Sequence, residues 1–312
     1  MLRIRCHNPF VCFTKKALFL LLILFSFLLP VPSHAGTTLQ TNVEYGEVIY
    51  RFNEKSPNQI FIIGISHRDS LTCLNGENTS RVQAEVYKIG DWLIHHQGLE
   101  LLLPEGFFVS KTGKIGKEKS EVPERRGDCT ELLDLKVLEE KLSDNKTYVN
   151  AEMLLKENHP LRLRQVEDKW LYDAVRNGLL KLVNCREDDS RYSALKTELD
   201  YLQEKRTAAM LQKIPELVEV EFRQGNIKSR KAIFTIGTSH LHKIIRYLNE
   251  NRIKIDGPLF ASTRNEDYIA ELNLLKENFG VSIIIPRTLA ADQKTLEINK
   301  LDKIVTRSPA HP

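Results

Sequence analysis

The chain has 312 residues, of which 42% are hydrophobic and 28% charged, a composition typical of a globular protein with one large core. Four of its 45 basic residues lie within the first 16 positions, which leaves 41 basic against 41 acidic residues in the remainder. The body of the chain is therefore neutral, and its charge argues against a nucleic-acid partner.

The amino terminus has the pattern of a secretory leader. "MLRIRCHNPFVCFTKK" carries four basic and no acidic residues, the apolar run "ALFLLLILFSFLLPVP" follows, and "SHA" ends at Ala35. This order predicts a signal peptide over residues 1–35 and export to the periplasm or the medium. A retained membrane anchor is the disfavoured alternative, because the apolar run is shorter than the ~20 residues of a spanning helix and holds Pro30. Membrane contact is expected only if the leader is retained.

Three cysteines, Cys73, Cys129 and Cys185, follow the leader. In an oxidising compartment they allow one disulfide with one thiol left over, and the sequence does not say which pair forms. None of them has the spacing of a C-x-x-C metal site.

The first predicted elements are strands and a helix. "VEYGEVIYRF" predicts a hairpin-like strand region, "QIFIIGISH" a buried strand, and "GLELLLPEG" a second buried strand. Between the two buried strands, residues 80–96 carry apolar side chains at helical spacing. Residues 109–128 are rich in Lys, Gly and Glu without an apolar period, which predicts a mobile surface loop or lid, or a plain insertion.

The remainder of the chain alternates helices and strands. Helices are predicted at about 129–142 and 149–158, then a strand in "LRLRQVED", then a helical region at about 168–222 broken near Cys185 and Pro215. The strand "KAIFTIGTSH", the helical stretches "LHKIIRYLNENR" and "NEDYIAELNLLKENF", and the strand "VSIIIP" follow. This alternation predicts one α/β domain over residues 36–312, with two similar halves, a largely parallel or mixed sheet and a helical insertion.

Two buried strands end in the same way. "IFIIGISH" ends in Gly64 and His67, and "AIFTIGTSH" ends in Gly237 and His240. Ligands of α/β proteins bind outside the carboxyl ends of the strands, so we expect both histidines to face one cleft. Two unrelated turn histidines are the alternative.

Two glutamates take the equivalent position on other predicted strands, Glu105 after "LELLLP" and Glu167 after "LRLRQV". A solvated turn and a helix start are the structural alternatives for them. Together with the two histidines they would suit Mn, Co or Zn, and a bound cation would activate water for hydrolysis. Arg206, on an amphipathic helix, reads by itself as a surface charge.

The motifs "GISH", "LLPEG", "RQVED", "EKRTAAM" and "AIFTIGTSHL", in this order, resemble the TraB/PrgY/GumN and Tiki superfamily, which is more distantly related to erythromycin esterases and ChaN haem-binding lipoproteins. The resemblance spans residues 47–252. It departs from the usual pattern at Ile65, where Thr is usual, and in the Lys-rich segment 109–128.

This resemblance implies a hydrolase, and we expect an exported peptidase acting on a peptide or protein substrate. His67, Glu105 and His240 would hold a divalent ion, Glu167 would accept the proton of water, and Arg206 would pair with a carboxylate or with the substrate oxygen. A metal-free, esterase-like hydrolase uses the same residues with a histidine as the base. A haem-binding or other ligand-binding protein is the further alternative.

Overall fold

The computed structural model describes the backbone of residues 42–43 and, with side chains, residues 45–66, 78–106, 134–143, 150–255 and 267–305. All of them belong to one compact unit, Thr38–Pro312. The predicted signal peptide, His67, Cys73, Cys129 and the predicted loop at 109–128 lie outside the described residues.

Strands and helices alternate through most of the described chain. The strands are β1 Asn42–Val43, β2 Gly46–Phe52, β3 Asn58–Ile65, β4 Leu101–Pro104, β5 Arg162–Leu163, β6 Lys231–Gly237, β7 Arg252–Ile255, β8 Tyr268–Glu271 and β9 Phe279–Pro286. The helices are α1 Thr79–Gln97, α2 Leu135–Ser143, α3 Ala151–Asn158, α4 Lys169–Val183, α5 Tyr192–Arg223, α6 Leu241–Glu250, α7 Asn273–Lys276, α8 Arg287–Ala291, α9 Gln293–Ile298 and α10 Asp302–Val305, with a 3₁₀ turn at Thr238–His240.

Seven of the described strands form one sheet in the order β1-β2-β9-β3-β6-β4-β5. The five strands from β9 to β5 run parallel, and β2 and β1 extend the sheet in antiparallel directions. The predicted α/β class, with a mixed and mostly parallel sheet covered by helices, is confirmed. A separate antiparallel pair is formed by β7 and β8.

The two β/α halves of the sheet interleave. The first half runs β3-α1-β4 and crosses over β6, and the second runs from β6 through α6 to β9 and crosses over β3. The first half thus contributes β3 and β4, and the second contributes β6 and β9, so that β3 and β6 lie side by side between β9 and β4. A two-fold axis parallel to the strands would generate this arrangement. The outer strands also end alike, in "LLLP" followed by Glu105 and in "IIIP" followed by Arg287.

Helices cover both faces of the sheet, because side chains along the central strands are apolar on both sides. On β3, Ile60 and Ile62 pack in the core beneath α5 and α6. Phe61 and Ile63 pack in a second core beneath α1, α2 and α3. Two different helical layers therefore meet the strands that lead to the predicted site.

The predicted long helical region is broken once. Residues 184–191 separate α4 from α5, as expected near Cys185, but the predicted break near Pro215 is wrong because α5 continues from Tyr192 to Arg223. Proline removes one backbone N–H from the helical ladder. Here Pro215 is buried, and its helix neighbours Ile214 and Val218 belong to the core, so packing offsets the lost hydrogen bond.

Two further elements differ from the sequence prediction. In "LRLRQVED" only Arg162 and Leu163 pair with β4, because β5 is the last strand of the sheet and the chain then turns towards α4. Within the predicted helix at 265–279, the described residues 267–279 contain β8 and the short α7, since Tyr268–Glu271 pair with β7. Within the described residues, no helix is long and apolar enough to cross a membrane.

Candidate functional site

The carboxyl ends of β3, β6 and β4 lie side by side at one edge of the sheet. Ile65 pairs with Gly237, and Pro104 pairs with Thr235. The two copies of the sequence motif therefore occupy neighbouring parallel strands. They are offset by one residue from the sequence alignment, because Gly64 lies opposite Ile236.

Glu105 follows β4 and reaches across the end of β6. Its Oε2 accepts a hydrogen bond of 2.6 Å from the N–H of Gly237, and its own N–H donates to the carbonyl of Thr235 at 2.9 Å. Its Oε1 lies 2.7 Å from Arg206 Nη2 and 3.4 Å from His240 Nε2. With a side chain that is 7% exposed, Glu105 connects the end of the second motif to Arg206.

Glu167 is bound by Arg206 through both carboxylate oxygens. Arg206 donates from Nε to Oε1 at 2.9 Å and from Nη2 to Oε2 at 2.6 Å. The N–H of Gly106 lies 3.3 Å from the same Oε2, and the Glu167 side chain is fully buried. The helix-start role belongs instead to Asp168, whose Oδ1 accepts from the N–H of Leu171 at the beginning of α4.

Arg206 is thus a buried cation shared by two carboxylates, instead of the surface charge that its sequence context indicates. Burial disfavours its charged form, but the negative charges of Glu105 and Glu167 outweigh this effect and raise the pKa of Arg206 above its ordinary value. The face of the Tyr172 ring lies 5.5 Å from its guanidinium carbon. Two carboxylates around one guanidinium leave a net negative charge, which a protonated histidine or a bound cation would neutralise.

His240 lies beside Glu105 and is 3% exposed. Its Nδ1 is 2.6 Å from Thr207 Oγ1, and that hydroxyl donates to the carbonyl of Gln203 at 2.7 Å. A hydroxyl has one proton, so the Thr207 oxygen accepts a hydrogen bond from His240 Nδ1–H. In the neutral ring, Nε2 then carries the lone pair and faces Glu105.

A second polar link fixes α5, the helix that carries Arg206. Glu221, near the end of α5, is fully buried and lies 3.1 Å from Arg162 Nε and 2.6 Å from Arg164 Nε. These arginines belong to β5 and the chain just after it, which continues to Glu167. The pairing holds α5 against the segment that supplies the second carboxylate.

Close packing explains why residue 64, in the first motif, is a glycine. A Cβ added at Gly64 would lie 2.7 Å from Leu241 Cδ1 and 3.1 Å from Ile285 Cγ2. Because Leu241 directly follows His240, the missing side chain allows the helix after the second motif to pack closely on the first.

His67 lies outside the described residues, so its distance from His240 stays a prediction. Its neighbour Ser66 is described, and the Ser66 carbonyl accepts a hydrogen bond of 2.8 Å from Gln83 Nε2. Gln83 Oε1 accepts from the N–H of Ala151 at the start of α3. Gln83 therefore anchors the end of the first motif to two helices.

A second group of possible metal ligands was not identified in the sequence analysis. Asp91 Oδ1, His95 Nε2 and His159 Nε2 lie within 4.8 Å of one another. The spacing of Asp91 and His95 places them on one helix face and is a sequence signal for this group. His159 is 64 residues further along the chain, and only the fold brings it near. The protein thus has a group of side chains that could hold a metal ion, at residues other than the predicted ligands His67, Glu105 and His240.

Comparison with protein-family models, with curated proteins and with solved structures finds no match. The family resemblance based on the five motifs is therefore a prediction, and the site has to be interpreted from its own geometry.

Proposed function

We propose that this protein is a hydrolase with its reaction centre at Glu105, Arg206 and His240. The observation that carries the proposal is the position of His240 Nε2, 3.4 Å from Glu105 Oε1, in a ring whose Nδ1 is held by Thr207. This arrangement leaves Nε2 as the atom that can accept a proton or bind a metal.

The described donors suit a divalent cation. Two ligands about 2.1 Å from one tetrahedral ion lie about 3.4 Å apart, which agrees with the separation of His240 Nε2 and Glu105 Oε1. In this proposal His67 is the third ligand, and the ion is Mn, Co or Zn. Such an ion would lower the pKa of bound water and so favour hydrolysis near neutral pH.

Arg206 and Glu167 act together in this proposal. Glu167 has both oxygens bound by Arg206 and is fully buried, so it is better placed to orient Arg206 than to accept a proton from water. In the metal-dependent mechanism His240 Nε2 is a ligand, and the ion itself favours loss of the proton from water. In the metal-free mechanism we transfer the proton-acceptor role expected of Glu167 to His240. Arg206 holds Glu105 in place, and its positive charge favours negative charge that develops on a substrate oxygen nearby.

The proposed substrate is a peptide or protein, and the proposed location is outside the cytoplasm after loss of the leader. Both follow from the resemblance to the TraB and Tiki group and from the pattern of residues 1–35. An ester substrate is the other possibility for the same residues, because both reactions proceed through a negatively charged oxygen.

A peptide-library digest with and without chelator tests this function. We expect the protein to cleave peptides, a chelator to abolish this cleavage, and Mn, Co or Zn to restore it. The substitutions Glu105→Gln and His240→Gln should each reduce the cleavage rate by at least about 100-fold. His242→Gln, two residues away, is the matched control and should retain activity. Cleavage that is unaffected by the chelator but is lost in His240→Gln would support the metal-free mechanism.

Two outcomes would overturn the proposal that this protein is a hydrolase. One is the absence of any cleavage together with unchanged thermal stability in the presence of each metal. The other is a haem-induced Soret band that disappears in His240→Gln and persists in Glu105→Gln, which would identify a ligand-binding protein.

A further inference from the structure

The group Asp91, His95 and His159 shares no residue with the proposed reaction centre. Asp91 and His95 are one turn apart on α1, and His159 follows the last residue of α3. Asp91 Oδ1 lies 3.0 Å from His159 Nε2 and 3.3 Å from His95 Nε2. The two imidazoles thus approach one carboxylate oxygen from two different elements.

Burial raises the pKa of Asp91, but its attraction to His159 and His95 outweighs this effect and lowers that pKa. The geometry nevertheless leaves one ring nitrogen of the group poorly paired. The Nε2 of His159 is buried and has no hydrogen-bond partner, although it lies only 3.0 Å from Asp91 Oδ1. The distance permits a hydrogen bond, so the direction of the ring nitrogen must be unsuitable for one. An unpaired buried ring nitrogen costs free energy, and the His159 side chain is only 9% exposed.

Short distances without hydrogen bonds are typical of metal ligands, because their lone pairs point at a common ion and not at each other. Ligand atoms about 2.1 Å from a tetrahedral ion are separated by about 3.4 Å, close to the two distances from Asp91 Oδ1. Two imidazoles and one carboxylate form a donor set that Zn²⁺ accepts. The side chains of His95 and Asp91 are 53% and 26% exposed, so solvent can reach the ion.

We propose that Asp91 Oδ1, His95 Nε2 and His159 Nε2 bind one Zn²⁺ ion, with water completing the coordination. This site is independent of the proposed hydrolase function. It would join the second half of α1 to the end of α3, from which the chain continues through β5 to Glu167.

Zinc titration of the purified protein, after removal of any histidine tag, tests the proposal. The titration uses the variant His240→Gln, which lacks one ligand of the proposed reaction centre. Zinc that this variant binds can therefore be assigned to Asp91, His95 and His159. In that variant we expect one Zn²⁺ per chain and a rise in Tm of about 5 °C at 100-fold excess over Kd. Co²⁺ in place of Zn²⁺ should give the visible absorption of a four-coordinate site.

Variants at exposed and buried ligands then locate the ion. His95→Ala should weaken binding at least tenfold without harming the fold, because this side chain is more than half exposed. His96→Ala is the matched control, since His96 stacks on Trp92 at 4.6 Å and takes no part in the group. His159→Gln should also abolish the Co²⁺ spectrum. Equal zinc binding by His95→Ala and His96→Ala, or no zinc bound in the His240→Gln background, would overturn the proposal.

Discussion

Thr207 Oγ1 lies 2.6 Å from His240 Nδ1, and its own proton points to the carbonyl of Gln203. A single hydroxyl therefore sets the tautomer of the histidine in the proposed reaction centre. Thr207 and Arg206 are neighbours on α5, so one helix carries both the guanidinium and the hydroxyl that orients His240. The same surroundings keep the ring buried beside Glu105.

The first prediction concerns this hydroxyl. Thr207→Val keeps the shape of the side chain but leaves His240 Nδ1–H without an acceptor, so we expect a loss of about 1–3 kcal/mol in unfolding free energy. Thr207→Ser should retain most of the stability. Urea denaturation measures the change, and NMR of the imidazole nitrogens should show the proton on Nδ1 in the parent. A parent ring protonated only on Nε2 would contradict the assignment.

The second prediction concerns the shared cation. Arg206→Met leaves Glu105 and Glu167 buried around an apolar side chain, and we expect it to lower the unfolding free energy by about 3–5 kcal/mol. Arg206→Lys keeps the charge but cannot bind Glu167 through two parallel hydrogen bonds, so an intermediate loss is expected. Chemical denaturation of both variants tests this order. A fully stable Arg206→Met would show that the carboxylates are held by other groups.

Local patterns were sufficient to predict much of this arrangement. The apolar runs before Glu105 and His240 are long enough to be recognised as buried strands, and parallel strands bring their carboxyl ends together. The family resemblance predicts a carboxylate partner for Arg206, but local patterns do not identify both glutamates as its partners, because Arg206 lies 39 residues from Glu167 on a different element. Thr207 was missed because a hydroxyl on a helix usually bonds only to its own backbone.

Other misses have the same cause, which is that tertiary packing decides where local signals conflict. Proline predicts a helix break, but Pro215 is buried in a helix whose neighbouring residues Ile214 and Val218 pack in the core, and this packing outweighs the lost hydrogen bond. Residues 265–279 have helix-forming side chains, and Tyr268–Glu271 nevertheless form a strand because β7 offers an antiparallel partner.

The third prediction concerns the glycine of the first motif. Gly64→Ala places a methyl group 2.7 Å from Leu241 Cδ1 and 3.1 Å from Ile285 Cγ2, so we expect a destabilisation of about 1–3 kcal/mol. Leu241→Val should relieve part of the overlap. The double variant should therefore be more stable than the sum of the two single changes implies, which a double-mutant cycle of unfolding free energies measures. Strict additivity would refute this explanation of Gly64.

The fourth prediction concerns the loss of folding stability at acidic pH and its dependence on His242. Burial, together with the positive charges of Lys243, Lys300 and Arg246, lowers the pKa of His242 to about 4. In the unfolded chain the pKa of histidine is about 6.5, so the unfolded state binds the proton more readily than the folded state as the pH falls. The stability contribution of neutral His242 is therefore complete above about pH 6.5 and is lost progressively as the pH falls towards 4.

His242→Gln removes this titration and should make the variant lose less stability than the parent between pH 6.5 and 4. The side chain is only half-buried, so solvent screening limits the expected difference to about 1–2 kcal/mol. Urea denaturation at a series of pH values measures it, and the two proteins should differ little in slope above pH 7. His96→Gln is the control, because it makes the same substitution at an exposed histidine on another helix. Parallel stability curves for His242→Gln and the parent down to pH 4 would show that the acid sensitivity has its origin elsewhere.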